Sequence, residues 1–197
     1  MKNIGAVKEF FDARAVHWDE MCHHDPQKLA AIVTLAQVKS GTRILDIACG
    51  TGVLHPELLA RDPAEIVGVD LSDRMIALAR GKNSDPRVHL YTCDFTTWQG
   101  SGFDVALLYS AYPHFQDKSA LARRVYDCLA PDGRFLVAHS ESRATINGRH
   151  GGPEVFDVST ELRPVEEEIK LWTPYFQIDV WADNEDIYLF SGKKREK

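Results

Sequence analysis

No stretch of this chain approaches the roughly eighteen uninterrupted apolar residues that span a bilayer, and Met1-Lys2-Asn3-Ile4-Gly5 lacks the apolar core of a secretory signal. The expectation is a cytoplasmic chain with no membrane insertion. Cysteines are few and scattered: Cys22, Cys49, Cys93 and Cys128 form no C-x-x-C pair, which argues against a disulfide scaffold and fits reduced thiols. An excess of positive charge is missing too. The formal net charge is −6 and the Lys and Arg residues are dispersed, so the footprint of a protein that neutralises many phosphates is absent and nucleic acid is not expected as a partner. The one basic cluster, Lys193-Lys194-Arg195 with Lys197, reads as a solvated tail. What remains is 197 residues at 44% hydrophobic content, the size and composition of a single domain able to bury a sizeable core.

The most informative run is Ile44-Leu45-Asp46-Ile47-Ala48-Cys49-Gly50-Thr51-Gly52, an apolar strand emptying into a glycine-rich turn. Gly50 and Gly52 lack a Cβ, so the chain can turn sharply and its backbone can approach a ligand. A second apolar run, Ile66-Val67-Gly68-Val69, closes on Asp70. A carboxylate at this spacing, on the tip of the neighbouring parallel strand, can accept hydrogen bonds from both hydroxyls of a ribose. The pair defines a nucleoside pocket and predicts an adenosine-containing cofactor. A third glycine, which a dinucleotide site wants three residues after Gly52, is absent; His55 stands there and crowds a pyrophosphate, while Pro56 can open a helix.

At these residues the chain resembles the class I S-adenosylmethionine-dependent methyltransferases. The likeness begins at Leu45-Asp46-Ile47-Ala48-Cys49-Gly50-Thr51-Gly52. It continues through Val69-Asp70-Leu71-Ser72 with Met75, Cys93-Asp94-Phe95, the run from Phe103 to Tyr109, and Leu129-Ala130-Pro131-Asp132-Gly133. The resemblance implies S-adenosylmethionine as cofactor and S-adenosylhomocysteine as product. It implies a cofactor site built from Asp46, Ala48, Gly50, Gly52, Asp70, Leu71, Met75, Asp94, Phe95 and Tyr109. In that family the glycine turn lies along the methionine part, the acid matching Asp70 holds the ribose, and the acid matching Asp94 reaches the adenine amino group.

Short apolar runs predict strands near Arg43 to Ala48, Ile66 to Val69, Val88 to Thr92, Val105 to Tyr109 and Arg134 to His139. Helical patterns separate them, with Ser72 or Asp73 capping one and Asp117 or Ser119 starting another. This alternation predicts an α/β, doubly wound, mostly parallel sheet with helices on both faces and the ligand at its carboxyl edge. Later come a polar stretch from Ser140 to Arg163, read as a long irregular loop, a helical patch from Val165 to Trp172, and two strands near Phe176 to Trp181 and Ile187 to Ser191 that suggest an antiparallel hairpin. This too looks like the family, whose Rossmann-like sheet has seven strands with the last antiparallel. Residues 1–197 are expected to form one domain: a helical cap over 1–40, a cofactor-binding core over 41–140, and a substrate loop with terminal strands over 141–197.

Acceptor recognition is expected from two places. Phe10-Phe11-Asp12-Ala13-Arg14-Ala15-Val16-His17-Trp18-Asp19 has aromatic and apolar positions at roughly helical spacing, as for an amphipathic helix over the sheet edge. Phe11 and Trp18 are its candidate acceptor contacts. The second place joins the segment after Tyr109 to the loop after His139. Tyr109, Tyr112, His114 and His139 are the candidate catalytic side chains nearest the transferred methyl group. Tyr112, His114, His139, Arg143, Asn147 and His150 are further candidate acceptor contacts, and Gly148, Gly151 and Gly152 would let the loop move.

Methyl transfer from a sulfonium needs alignment more than covalent help, so a base such as His114 or His139 is required only if the acceptor must lose a proton. Tyr109-Ser110-Ala111-Tyr112 departs from the Asn/Asp-Pro-Pro-aromatic motif of relatives that methylate amino groups of bases or glutamine. The chain looks more like the branch of quinone and other small-molecule methyltransferases, and a small-molecule acceptor is its expected partner. Neighbouring residues in Cys22-His23-His24-Asp25 cannot easily converge on one ion, so no metal is expected. A non-catalytic S-adenosylmethionine-binding protein on the same scaffold is the alternative; aminopropyl transfer lacks its acidic pair after Tyr109.

Overall fold

Two helical segments precede the sheet in the computed structural model, which describes residues 4–150, 155 and 158–196. Helix α1 (Ile4–Arg14) passes through a 3-10 turn at Ala15–His17 into the short α2 (Trp18–Met21). Helix α3 (Pro26–Leu35) follows, with the Asp25 carboxylate accepting from the Gln27 N–H and Pro26 in the first turn, a start that suits proline because its missing N–H would have no helical partner.

Strand and helix then alternate: β1 (Arg43–Ile47), α4 (His55–Leu59), β2 (Glu65–Asp70), α5 (Asp73–Lys82), β3 (Val88–Thr92), β4 (Phe103–Tyr109), α6 (Lys118–Cys128), β5 (Leu129–His139), α7 (Arg143–His150), α8 (Val165–Trp172), β6 (Phe176–Asp183) and β7 (Tyr188–Lys194). Ser72 caps α5 and Asp117 caps α6, each accepting a backbone N–H in the first turn. The seven-stranded sheet runs β3-β2-β1-β4-β5-β7-β6. Strands β1 to β5 pair in parallel, and β7 is antiparallel to both of its neighbours. This is the doubly wound, mostly parallel sheet with a reversed last strand that the sequence predicts.

Alternate residues of the central strands serve opposite layers, as the two-residue period of a strand requires. Leu45, Ala106, Leu108, Phe135, Val137 and Phe190 pack with α6 and α8, whereas Ile44, Val105, Leu107, Leu136 and Leu189 pack with α3 and α4. The irregular loop expected after Ser140 is corrected in its first half: Arg143–His150 is helical. Ser142 Oγ accepts from the Thr145 N–H at that start, a local capping signal that glycine at 148 obscured in the sequence. No helix among the described residues is long and apolar enough to cross a membrane.

Candidate active site

At the carboxyl edge of β1 the chain enters the left-handed region at Ala48, Gly50 and Gly52, with φ of 55°, 55° and 80°. A Cβ built on Gly50 meets nothing within 4 Å, so the space above it is open to a ligand. Gly52 differs. A Cβ there would stand 2.5 Å from His55 Nδ1, so the second glycine makes room for an internal imidazole. His55 is fully buried beneath the turn. Its Nδ1 lies 3.1 Å from the Asn83 amide nitrogen, while Nε2 lies 3.2 Å from Asp46 Oδ2 but out of hydrogen-bond alignment.

Asp70, at the tip of β2, faces this turn. Its Oδ2 accepts from the Gly50 N–H and its Oδ1 from the Ser72 N–H, each at 2.8 Å. Each carboxylate oxygen has two lone pairs, so both retain capacity for a sugar hydroxyl. Burial pushes the Asp70 carboxyl up to about 6 against the downward pull of the two N–H groups, with Asp46 and Asp12 adding repulsion. Met75, buried, donates its N–H to Ser72 Oγ, and Leu71 is half-buried beside it. At the end of β3, Asp94 is half-buried; its Oδ1 accepts from the N–H and hydroxyl of Thr96. Phe95 is buried in the core.

The cap lies across these loops through carboxylates that the aromatic spacing did not single out. Asp12 Oδ1 accepts from the Ser72 hydroxyl at 2.5 Å, and Asp19 Oδ1 from the Thr51 hydroxyl at 2.6 Å, with Lys82 also on Asp19. Asp12 and Asp19 are seven residues apart, as are Phe11 and Trp18, the interval that returns to one helical face; that was the missed signal. The Phe11 ring sits edge-on to Trp18 at 5.4 Å and to His114 at 4.8 Å. His114 Nδ1 is 3.1 Å from both the Val158 carbonyl and Ser159 Oγ. The structure thus brings Phe11, Trp18 and His114 together on one side.

A family profile described as "Methyltransferase domain" matches residues 44–133, the stretch that carries the turn, Asp70 and Asp94. Over 111 residues the chain is 36% identical to the demethylmenaquinone methyltransferase of Thermus thermophilus, covering 53% of this chain and 50% of that protein. Over 109 residues it is 31% identical to phosphoethanolamine N-methyltransferase 3 of Arabidopsis thaliana, covering 53% of this chain and 22% of that one. The chain is thus similar to methyltransferases over its central stretch. It spans about half or less of the length of these two relatives. The N-methyltransferase NodS of Bradyrhizobium japonicum, solved with S-adenosylhomocysteine, shares the fold with a TM-score of 0.78 at 15% identity, covering 97% of this chain and 100% of that one.

Several of the expected acceptor contacts have partners within the fold. Tyr112 is 0% exposed. Its hydroxyl donates to Glu168 Oε2 at 2.9 Å and accepts from Trp172 Nε1 at 3.2 Å, so it presents no surface to an acceptor and its expected catalytic placement is corrected. Glu168 is itself paired with Lys118 and Arg163. Arg143 pairs with Asp183 at 2.8 Å, and the Asn147 amide exchanges two hydrogen bonds with the Leu162 backbone. Those contacts tie α7 to the end of β6 and to the Leu162 backbone. His139 is buried edge-on to Tyr188 at the end of β5. The side chain of His150, with Gly151 and Gly152, lies outside the described residues. Tyr109 ends β4 with its hydroxyl 2.8 Å from His24 Nδ1 and 2.8 Å from Ser140 Oγ. Among the described residues no three His, Cys, Asp or Glu side chains are grouped to hold a metal. A hollow of about 480 Å³ opens beside the first residues of β1, β2 and β4, away from the glycine turn.

Proposed function

We propose that this chain is a methyltransferase that carries the methyl group of S-adenosylmethionine to a small-molecule acceptor held between the cap and the carboxyl edge of the sheet. The observation that carries the reading is the joining of Asp70 to the open glycine turn through the Gly50 N–H. That pairing sets a ribose acceptor beside a surface a methionine tail can lie along. Asp70 would take the ribose hydroxyls through its unused lone pairs, and Asp94 would take the adenine amino group through Oδ2. Ala48, Gly50, Leu71, Met75 and Phe95 would supply the backbone and apolar walls. When bound, the cofactor supplies a methyl group on a sulfonium, which leaves as a neutral thioether once a nucleophile attacks the carbon.

The residues then have to orient an acceptor and exclude water. Phe11, Trp18 and His114 form an aromatic wall suited to an organic molecule. A carbonyl can only accept, so a neutral His114 ring facing the Val158 carbonyl through Nδ1 carries its proton there and its lone pair on Nε2. That tautomer can remove a proton from a hydroxyl, ammonium or activated carbon. A small molecule is favoured over nucleic acid by the net charge of −6 and is in keeping with the quinone and phosphoethanolamine enzymes among the relatives. The four free thiols suit a cytoplasmic setting.

The test is a mass-spectrometric search for copurified cofactor, followed by a screen of phosphoethanolamine and other amines, quinols, phenols and thiols for S-adenosylhomocysteine release. Turnover with one class is expected. Cofactor binding without consumption across the panel would overturn the enzymatic reading in favour of a non-catalytic binder.

A further inference from the structure

One tie between the cap and the sheet edge reaches Tyr109, a candidate catalytic side chain at the end of β4. His24, in the linker between α2 and α3, has its Nδ1 2.8 Å from the Tyr109 hydroxyl, with the rings tilted at 54° and 5.5 Å apart. The same hydroxyl is 2.8 Å from Ser140 Oγ, the first residue after β5. Burial lowers the proton affinity of His24 and raises the pKa of Tyr109, so a neutral imidazole faces an intact phenol at neutral pH. The phenol has one proton, so it donates to one neighbour and accepts from the other. In either arrangement its oxygen is held from two sides. The Ser140 end is itself secured, because Lys28 Nζ donates to the Ser140 carbonyl at 3.0 Å and to the Asp186 carbonyl at 2.9 Å. Three elements that meet nowhere in sequence therefore converge on one hydroxyl.

We propose that His24 is a positioning residue: it clamps the Tyr109 hydroxyl, seats residues 18–25 of the cap over the carboxyl edge, and fixes the tyrosine on the acceptor side. Its meaning for catalysis rests on the cofactor placement proposed above. The clamp itself does not. An imidazole reaching through Nδ1 is imitated by the amide of asparagine and not by the longer glutamine, which gives the inference a discriminating substitution.

The experiment compares the parent with His24→Ala, His24→Asn, His24→Gln, Tyr109→Phe and the His24→Ala/Tyr109→Phe double variant. It reads backbone amide exchange over residues 18–25 and the dissociation rate of S-adenosylhomocysteine, with thermal unfolding as a check on the fold. His24→Ala should raise local exchange and speed release by about tenfold, the loss of one partly buried hydrogen bond between neutral groups, and Tyr109→Phe, which also removes the Ser140 bond, by at least as much. The double variant should go no further than Tyr109→Phe alone, since that change already removes the contact His24→Ala loses. His24→Asn should return toward the parent and His24→Gln should not. Unchanged exchange over 18–25 in His24→Ala, effects that multiply in the double variant, or a uniform rise in exchange with a matching loss of thermal stability would each overturn the proposal. If His24→Ala does not fold, the contrast between Asn and Gln decides. If the parent does not bind S-adenosylhomocysteine, the cofactor placement fails while the exchange data still judge the clamp.

Discussion

Asp70 should make cofactor binding depend on pH between about 5 and 7, and Asp70→Asn should abolish that dependence. The carboxyl is raised from 3.8 to about 6, first by burial and then by Asp46 and Asp12, with the Gly50 and Ser72 N–H groups pulling the other way. Two ribose hydroxyls both donate, so they favour the ionised carboxylate and binding draws off the proton. At pH 5 only about one-tenth of the free protein carries the ionised form, so affinity should be about tenfold, or ~1.4 kcal/mol, weaker than at pH 8. Calorimetric titration with S-adenosylhomocysteine, in buffers of differing ionisation enthalpy, measures both the affinity and the proton released. Stability should move the opposite way. Between 3.8 and about 6 the native state binds a proton that the unfolded chain has lost, so the stability contribution of Asp70 falls as pH rises through that window and is flat above it. The whole change is about 3 kcal/mol. A parent whose affinity is the same at pH 5 and pH 8 with the fold intact, or an Asn variant that keeps the slope, would refute the assignment.

Asp70→Ala should weaken binding at pH 8 by about 1.5–3 kcal/mol through loss of charge-assisted hydrogen bonds, read in the same calorimeter. Gly50→Val should eliminate binding, because a branched side chain at a φ of 55° is strained and fills the open space above the turn; equilibrium dialysis with labelled cofactor gives the answer, and retained affinity would put the pocket elsewhere. Tyr112→Phe should cost about 1–3 kcal/mol of stability by leaving Trp172 Nε1 without its acceptor, measured by urea unfolding, with S-adenosylhomocysteine affinity unchanged. His114→Ala should lower turnover at least tenfold with an acceptor that must be deprotonated, while cofactor affinity stays within about threefold; equal loss of both would make the ring a cofactor contact.

The features legible in the sequence are those set by neighbours along the chain. Ile44, Leu45 and Ile47 alternate between layers because a strand has a period of two. Ser72 and Asp117 start helices because short polar side chains reach N–H groups three residues ahead. Gly50 followed twenty residues later by Asp70 reflects the fixed length of one strand, crossover and strand, which is why the turn and the acid meet as expected.

Tertiary structure decided the rest, wherever a side chain chose between partners far apart in sequence. Tyr112 is only two residues from His114 in the chain, yet Glu168 and Trp172 draw it into the core while Phe11 packs against the histidine. Gly52 looks like Gly50 but is small on account of His55, whose inward direction only the helix after the turn determines. His24 and Tyr109 are 85 positions apart and meet only because α3 and β4 share one layer. Period and turn chemistry act over a few residues of backbone, whereas these partnerships depend on which surfaces the completed sheet brings within hydrogen-bond reach.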